Sequence, residues 1–238
     1  MGKAKEVEET GTLYIISTPI GNLKDVTHRS LALLSDVDLI AAEDTRRTGI
    51  LLKHYDIKTP LSSFNTYNQV KKSDRLIARL KGGDDLALVS DAGTPGVSDP
   101  LYYLVKVALD ERVPVVSLPG PSAVLSALTV SGLPVNRFVF EGFLPRKKGR
   151  KNLLEELAQE KRTIVLFESP HRIVKTLNEL YQVMGDRTAV LARELTKIHE
   201  EVIRGTLGAL AIKAEEQKLK GEITLVISGA PKTRNRGN

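Results

Sequence analysis

The chain has 238 residues, 41% hydrophobic and 27% charged, with no Cys and a formal charge of +6. That composition excludes wholesale disorder, and the missing thiol excludes disulfides, iron–sulfur clusters, thiolate metal sites and cysteine nucleophiles. The four His residues are too scattered for a local metal motif, no apolar run reaches the length of a membrane helix, and MGKAKEVEET lacks a signal-peptide core, so a soluble cytoplasmic protein without a metal is expected.

Residues 1–11 are polar and read as a mobile tail, after which Thr12–Ser17 (TLYIIS) reads as a buried strand ending at Thr18-Pro19-Ile20-Gly21-Asn22. Helical patterns then alternate with short apolar runs: helix 27–35, strand 38–42, helix 46–55, strand 60–64, helix 68–81, strand 85–90, helix 100–111 and strand 113–118. This alternation predicts βαβ units and a mainly parallel sheet covered by helices. Asp99-Pro100 has the form of a helix cap and first-turn pair, which makes the stretch between Ser90 and Asp99 a loop leaving a strand's carboxyl end.

Past Pro119-Gly120-Pro121 the spacing predicts a helix near 122–131, a strand from Arg137, a basic stretch, and an amphipathic helix carrying Leu153, Leu154 and Leu157. Strand 162–167 runs into Ser169-Pro170, another cap and first-turn pair, and a helix to about Met184; strands near 188–193 and 200–205, a helix near 206–218 and strand 222–228 complete the pattern. The short 194–199 connection implies antiparallel pairing in this half. The reading is two α/β domains, 12–122 with a mainly parallel sheet and 123–230 with a mixed one, followed by a basic tail over 231–238.

Chemistry concentrates at strand ends. Ser90-Asp91-Ala92-Gly93-Thr94-Pro95-Gly96 combines glycines that let a ligand approach the backbone with a fixed anion, where α/β sheets build their crevices. Thr18-Pro19 and Pro119-Gly120-Pro121-Ser122-Ala123 occupy equivalent positions. None of these loops fits the dinucleotide fingerprint or the phosphate loop of nucleotidases. Glu43-Asp44-Thr45-Arg46-Arg47 places acids and guanidiniums at a strand-to-helix junction, and Glu168-Ser169-Pro170-His171-Arg172 and Arg193-Glu194-Leu195-Thr196-Lys197 repeat acid, base and hydroxyl in the second half. Arg146, Lys147, Lys148, Arg150 and Lys151 form a cationic stretch suited to a polyanion. With five Phe, six Tyr and no Trp, an aromatic stacking platform is not expected.

Taken in order, STPIGNLKDVT, AEDTR, SDAGTPGVSDP, PGPSA, GFLPRK, ESPHR and RELTK resemble the loops of the tetrapyrrole methylase superfamily, in its bacterial ribosomal RNA branch, over about residues 12–229. Thr18-Pro19-Ile20-Gly21-Asn22 stands where the porphyrin-precursor enzymes carry a glycine-rich segment, which argues against such a substrate. The resemblance implies a two-domain class III methyltransferase fold, a homodimer, and S-adenosylmethionine in the cleft between domains. It also implies 16S rRNA of the small ribosomal subunit as substrate, methylated on the ribose 2′-oxygen of a decoding-site cytidine. By similarity Thr18, Pro19, Asp91, Ala92, Gly93, Thr94, Ser122, Ala123 and Thr224 line the cofactor. Glu43 or Glu168 is then the expected proton acceptor and Lys197 the partner of developing charge, while Arg46, Arg172 and Arg193 join the cationic stretch in holding RNA phosphates. A methylase of a tetrapyrrole or other small acceptor, and a non-enzymatic RNA-binding factor, are the competing readings on the same fold.

Overall fold

The structure, a computed structural model, describes residues 10–98 and 102–231. It divides between Ser122 and Ala123 into two compact units. Asp99-Pro100, most of the N-terminal tail and the basic residues from Lys232 onward lie outside the described residues. Gly11, assigned above to the tail, is buried, and its N–H donates to Leu80 O at 2.8 Å, so it belongs to the first unit's packed structure. Among the described residues no helix is long and apolar enough to cross a membrane.

The first unit runs β1 (Leu13–Ile16), α1 (His28–Asp36), β2 (Leu39–Ala42), α2 (Thr45–His54), β3 (Leu61–Ser63), α3 (Gln69–Lys81), β4 (Leu86–Val89), α4 (Tyr102–Asp110) and β5 (Val115–Leu118). Its sheet has the order β3-β2-β4-β1-β5 and is parallel throughout. The apolar runs of β2 and β4 are buried at every position because both faces are covered. Leu34 of α1 and Leu51 and Leu52 of α2 pack on one face; Leu76, Ile77 and Leu80 of α3 and Leu104 and Ala108 of α4 pack on the other. Connections leaving the neighbouring strands β1 and β4 therefore wind to opposite faces, and a crevice opens beyond their carboxyl ends. Thr27 and Asp44 cap α1 and α2 through Oγ1 and Oδ1, which accept from Ser30 N and Arg46 N.

The second unit runs α5 (Ala123–Ser131), β6 (Phe138–Phe143), α6 (Arg150–Leu157), β7 (Thr163–Glu168), α7 (Ile173–Met184), β8 (Thr188–Arg193), β9 (Glu201–Thr206), α8 (Leu207–Gln217) and β10 (Ile223–Ile227). The sheet order is β6-β7-β10-β8-β9, with β6 parallel to β7 and the other pairs antiparallel, the mixed sheet that the short 194–199 connection predicts. Leu154, Leu177, Leu180 and Leu210 from α6, α7 and α8 meet Ile164, Leu166, Leu191 and Leu225 of the strands. A leucine fully buried in this way contributes about 1.5–3 kcal/mol relative to an exposed one. α5 covers the other face over β10 and β9.

One expected helix start is displaced. Ser169-Pro170 does not cap α7; the Ser169 carbonyl accepts from Arg172 N and Ile173 N, forming a turn, and the helix begins at Ile173. Ser169 N donates instead to Glu168 Oε1, just beyond the end of β7.

Candidate functional site

Hydrogen bonds knit three loops together at the crevice of the first unit. Thr18 N donates to Gly93 O and Gly93 N to Thr18 O, each at 2.9 Å, closing a two-residue antiparallel bridge. Thr18 Oγ1 donates to Ser90 O at 3.2 Å. Ser17 Oγ lies 3.0 Å from Thr94 Oγ1, with Leu118 O 3.3 Å from the first hydroxyl and Pro121 O 3.4 Å from the second. The backbone comes too close for side chains: Gly93 sits at φ +80°, and a Cβ on Gly120 would stand 2.7 Å from Ser17 Cβ. A pre-ordered rim results, which a ligand need not organise on binding.

Asp91 faces an incomplete set of partners. Its N–H donates to Glu43 Oε2 at 3.3 Å, and Arg47 Nε is 3.7 Å from its Oδ2. Its Oδ1 is buried without a hydrogen-bond partner among the described residues. An uncompensated buried carboxylate oxygen is costly, which fits a ligand that supplies an N–H or O–H. Beside it, Asp44 caps α2 and chelates Arg46 through Nε at 3.0 Å and Nη2 at 2.6 Å. The Arg46 guanidinium, and then its backbone N–H, hold the Asp44 carboxyl down at about 2. Arg46 itself remains 88% exposed, anchored yet open to solvent.

At the strand ends of the second unit the charges are engaged with one another. Glu168 is buried; its Oε1 accepts from Ser169 N at 2.8 Å and lies 3.3 Å from Arg172 Nε, while its Oε2 accepts from Thr176 Oγ1 at 2.7 Å. Arg172 also donates to Leu144 O at 2.6 Å. Arg150 is buried, donating to Glu179 Oε2, to Thr176 Oγ1 and to Pro145 O. Arg193 holds Glu201 at 2.8 Å and Lys220 O at 3.1 Å.

Lys197 Nζ bridges Glu194 at 2.9 Å and Glu222 at 3.1 Å. Burial alone would lower its pKa, but the hydrogen bonds and charges of those two carboxylates outweigh that and raise it. The Glu194 carboxyl is lowered, first by its hydrogen bond from Lys197 and then by the backbone N–H of Glu222.

The structure thus gathers Thr18, half-buried Pro19, Asp91, exposed Ala92, Gly93, Thr94, Ser122 and Glu43 in the first unit. Ala123 opens α5, and Thr224 is buried in the middle of the second sheet, paired in register with Phe167 and Ala192. The cationic stretch separates: Arg146, Lys147, Lys148 and Lys151 are exposed, and Arg150 is turned inward as a structural residue. Ser17 and Thr176 were not singled out from sequence. Their roles depend on partners 77 and 8 residues away, and the only local signal is a small hydroxyl at the end of an apolar run or on a helix's buried face.

Residues 12–211 match the model of the tetrapyrrole (corrin/porphyrin) methylases. The chain belongs to that family. This methylase is 51% identical over 219 residues to the ribosomal RNA small subunit methyltransferase I of Thermotoga maritima, covering 92% of this chain and 99% of the relative. It is 50% identical over 222 residues to the protein of that name from Synechocystis sp., covering 92% and 80% of the two chains. Against the Escherichia coli O157:H7 protein of that name the identity is 47% over 223 residues, with 92% and 78% covered. Among solved structures it shares its fold with a cobalt precorrin-4 methyltransferase, at a TM-score of 0.69 and 19% identity over 91% of this chain and 94% of that one. A diphthine synthase gives a TM-score of 0.70 at 18% identity, covering 92% and 90%.

Proposed function

We propose that this methylase transfers a methyl group from S-adenosylmethionine to 16S rRNA of the small ribosomal subunit, on the ribose 2′-oxygen of a decoding-site cytidine, as a cytoplasmic homodimer. The single observation that carries donor binding is Asp91 Oδ1, buried without a hydrogen-bond partner among the described residues, within the knitted loops of the first unit. S-adenosylmethionine carries ribose hydroxyls, an ammonium and a sulfonium, so both its hydrogen-bond donors and its positive charge suit that anion. The identity of about half the residues to proteins named for small-subunit rRNA supports the substrate.

Bound S-adenosylmethionine supplies an electrophilic methyl carbon. The rest of the task is orientation and proton removal, because an in-line displacement needs its three reacting centres held collinear in a dry site. Asp91, the Thr18–Gly93 bridge and Thr94 hold the donor, with Pro19, Ala92 and Ser122 as further contacts of the first unit. Glu43, half-buried beside Asp91, takes the hydroxyl proton on a carboxylate oxygen, an assistance typically worth ~100 to 10,000-fold. Glu168 is buried, with its oxygens accepting from Ser169 N and Thr176 Oγ1. Lys197, neutralised by Glu194 and Glu222, positions the β8–β9 loop. Exposed Arg46, Arg146, Lys147, Lys148 and Lys151 hold phosphates.

The test is methyl transfer from labelled S-adenosylmethionine to small subunits that lack the modification, with mass mapping of the 16S rRNA. Label on one cytidine ribose is the expected result; no label in 16S rRNA overturns the proposal. Naked short RNA should be a poor acceptor, since recognition rests on the shape of an assembled particle.

A further inference from the structure

β6 is an outer strand of the second sheet, and its sequence FVFEGF alternates so that Phe140 and Phe143, three residues apart, would face opposite sides of a regular strand. A register shift between Phe140 and Gly142 changes this. Phe140 pairs with Val165 and Phe143 with Phe167, while the intervening Ile164 and Leu166 point to the core on the opposite face. Three of the five Phe residues therefore converge on one face: Phe140 stands 5.0 Å from Phe167 at 70°, and Phe143 stands 5.6 Å from Phe167 at 57°. A bulge and a strand pairing assemble three aromatic rings that the sequence disperses.

The cluster is not closed off. Phe143 is 56% exposed although its neighbours Gly142 and Leu144 are buried, and the main contacts of α5 with the sheet are with β10 and β9, not with the outer strand β6. Exposed cations bracket the strand, Arg137 before it and Arg146, Lys147 and Lys148 after it. Aromatic faces flanked by exposed cations match single-stranded nucleic acid, whose bases stack while its phosphates pair.

We infer that Phe143, backed by Phe140 and Phe167, is a stacking wall for an unpaired nucleobase of the RNA, a specificity element resting on the rRNA reading above. The phosphates run along Arg146, Lys147 and Lys148.

The chain has no Trp, so Phe143→Trp installs a single fluorescent reporter. Its indole should be quenched by oligocytidylate but not by inorganic polyphosphate of equal charge. Phe143→Ala should weaken oligocytidylate binding and raise KM on small subunits by roughly 10- to 100-fold, the range expected for one lost stack. The slope of affinity against salt and S-adenosylmethionine binding should not change, and Phe143→Tyr should restore both affinity and KM. Equal quenching by polyphosphate, an unaltered KM in Phe143→Ala, rescue by Phe143→Leu as complete as by Tyr, or conversion of a dimer to a monomer on light scattering would each overturn the wall. The rRNA reading fails separately, if the unsubstituted protein labels no 16S rRNA; the quenching measurement still decides the wall.

Discussion

The two units carry the same kind of sequence signal at their strand ends, acid beside base beside hydroxyl, and use it in opposite ways. In the first, Glu43, Asp91 and Arg46 sit near loops joined by the Thr18–Gly93 bridge, and a carboxylate oxygen of Asp91 has no donor among the described residues. In the second, Glu168, Arg172, Arg150 and Glu179 complete one another around Thr176, and Lys197 is enclosed by two carboxylates. Polar groups whose hydrogen bonds are satisfied internally lend a fold definition. Thr196 Oγ1 and two nitrogens of Arg187 in the second unit are also buried without a partner among the described residues, so what distinguishes Asp91 is an incomplete carboxylate on loops already knitted together. The difference teaches that a charged motif becomes informative only once its partners are counted.

Substitutions can break that contrast. The largest effect is expected at Arg150→Ala, which removes the buried guanidinium from Glu179 and Thr176 and leaves them only Lys175 and Glu168. Loss of a buried ion pair costs 3–5 kcal/mol, and the partial exposure of Glu179 reduces this to roughly 3 kcal/mol, read from denaturant unfolding, with S-adenosylmethionine affinity unchanged. Asp91→Ala should do the reverse. A lost hydrogen bond to a charged group is worth about 1.5–3 kcal/mol, so calorimetric titration with S-adenosylmethionine should show affinity reduced roughly 10- to 100-fold at unchanged unfolding midpoint. If Asp91→Ala destabilises the fold and Arg150→Ala weakens donor binding, the contrast between the units is wrong.

Two smaller effects sharpen it. Neutralising Arg146, Lys147 and Lys148 together should flatten the plot of log affinity for RNA against log salt by about 2, as three phosphate contacts are lost, whereas neutralising inward-facing Arg150 as well should add little. The smallest effect is acidic. Arg46 holds the Asp44 carboxyl at about 2, and the Arg162 side chain, then its N–H, lowers Glu160 from 4.5 to about 2. Both carboxyls are depressed in the folded chain, so their contribution is complete above pH 4.5 and disappears as pH falls toward 2. Unfolding followed across that window should lose stability, less steeply in Glu160→Gln and at high salt, since both pairs are exposed.

Much of this was legible beforehand because it is local. The alternation of apolar spacing located the helices and strands to within a few residues, and Thr27 and Asp44 cap α1 and α2 through contacts two or three residues long. Seven loop motifs in order carried the family resemblance, and Thr18, Asp91 and Gly93 were recognisable as loop residues at strand ends. Ser169 misled because its carbonyl closes a separate turn onto Arg172 and Ile173 before the helix starts, which the local cap pattern does not distinguish from a helix start.

The sequence by itself determined the βαβ rhythm, the switch to a mixed sheet and the clustering of small residues where strands end, since all three are written in spacing along the chain. Only the tertiary structure decided that Thr18 bridges Gly93, that Arg150 turns inward to Glu179, and that a bulge aligns Phe140 and Phe143 with Phe167. Those outcomes depend on strand order and register between distant segments, and a one-residue shift there sends a side chain to the opposite face while leaving the local pattern intact.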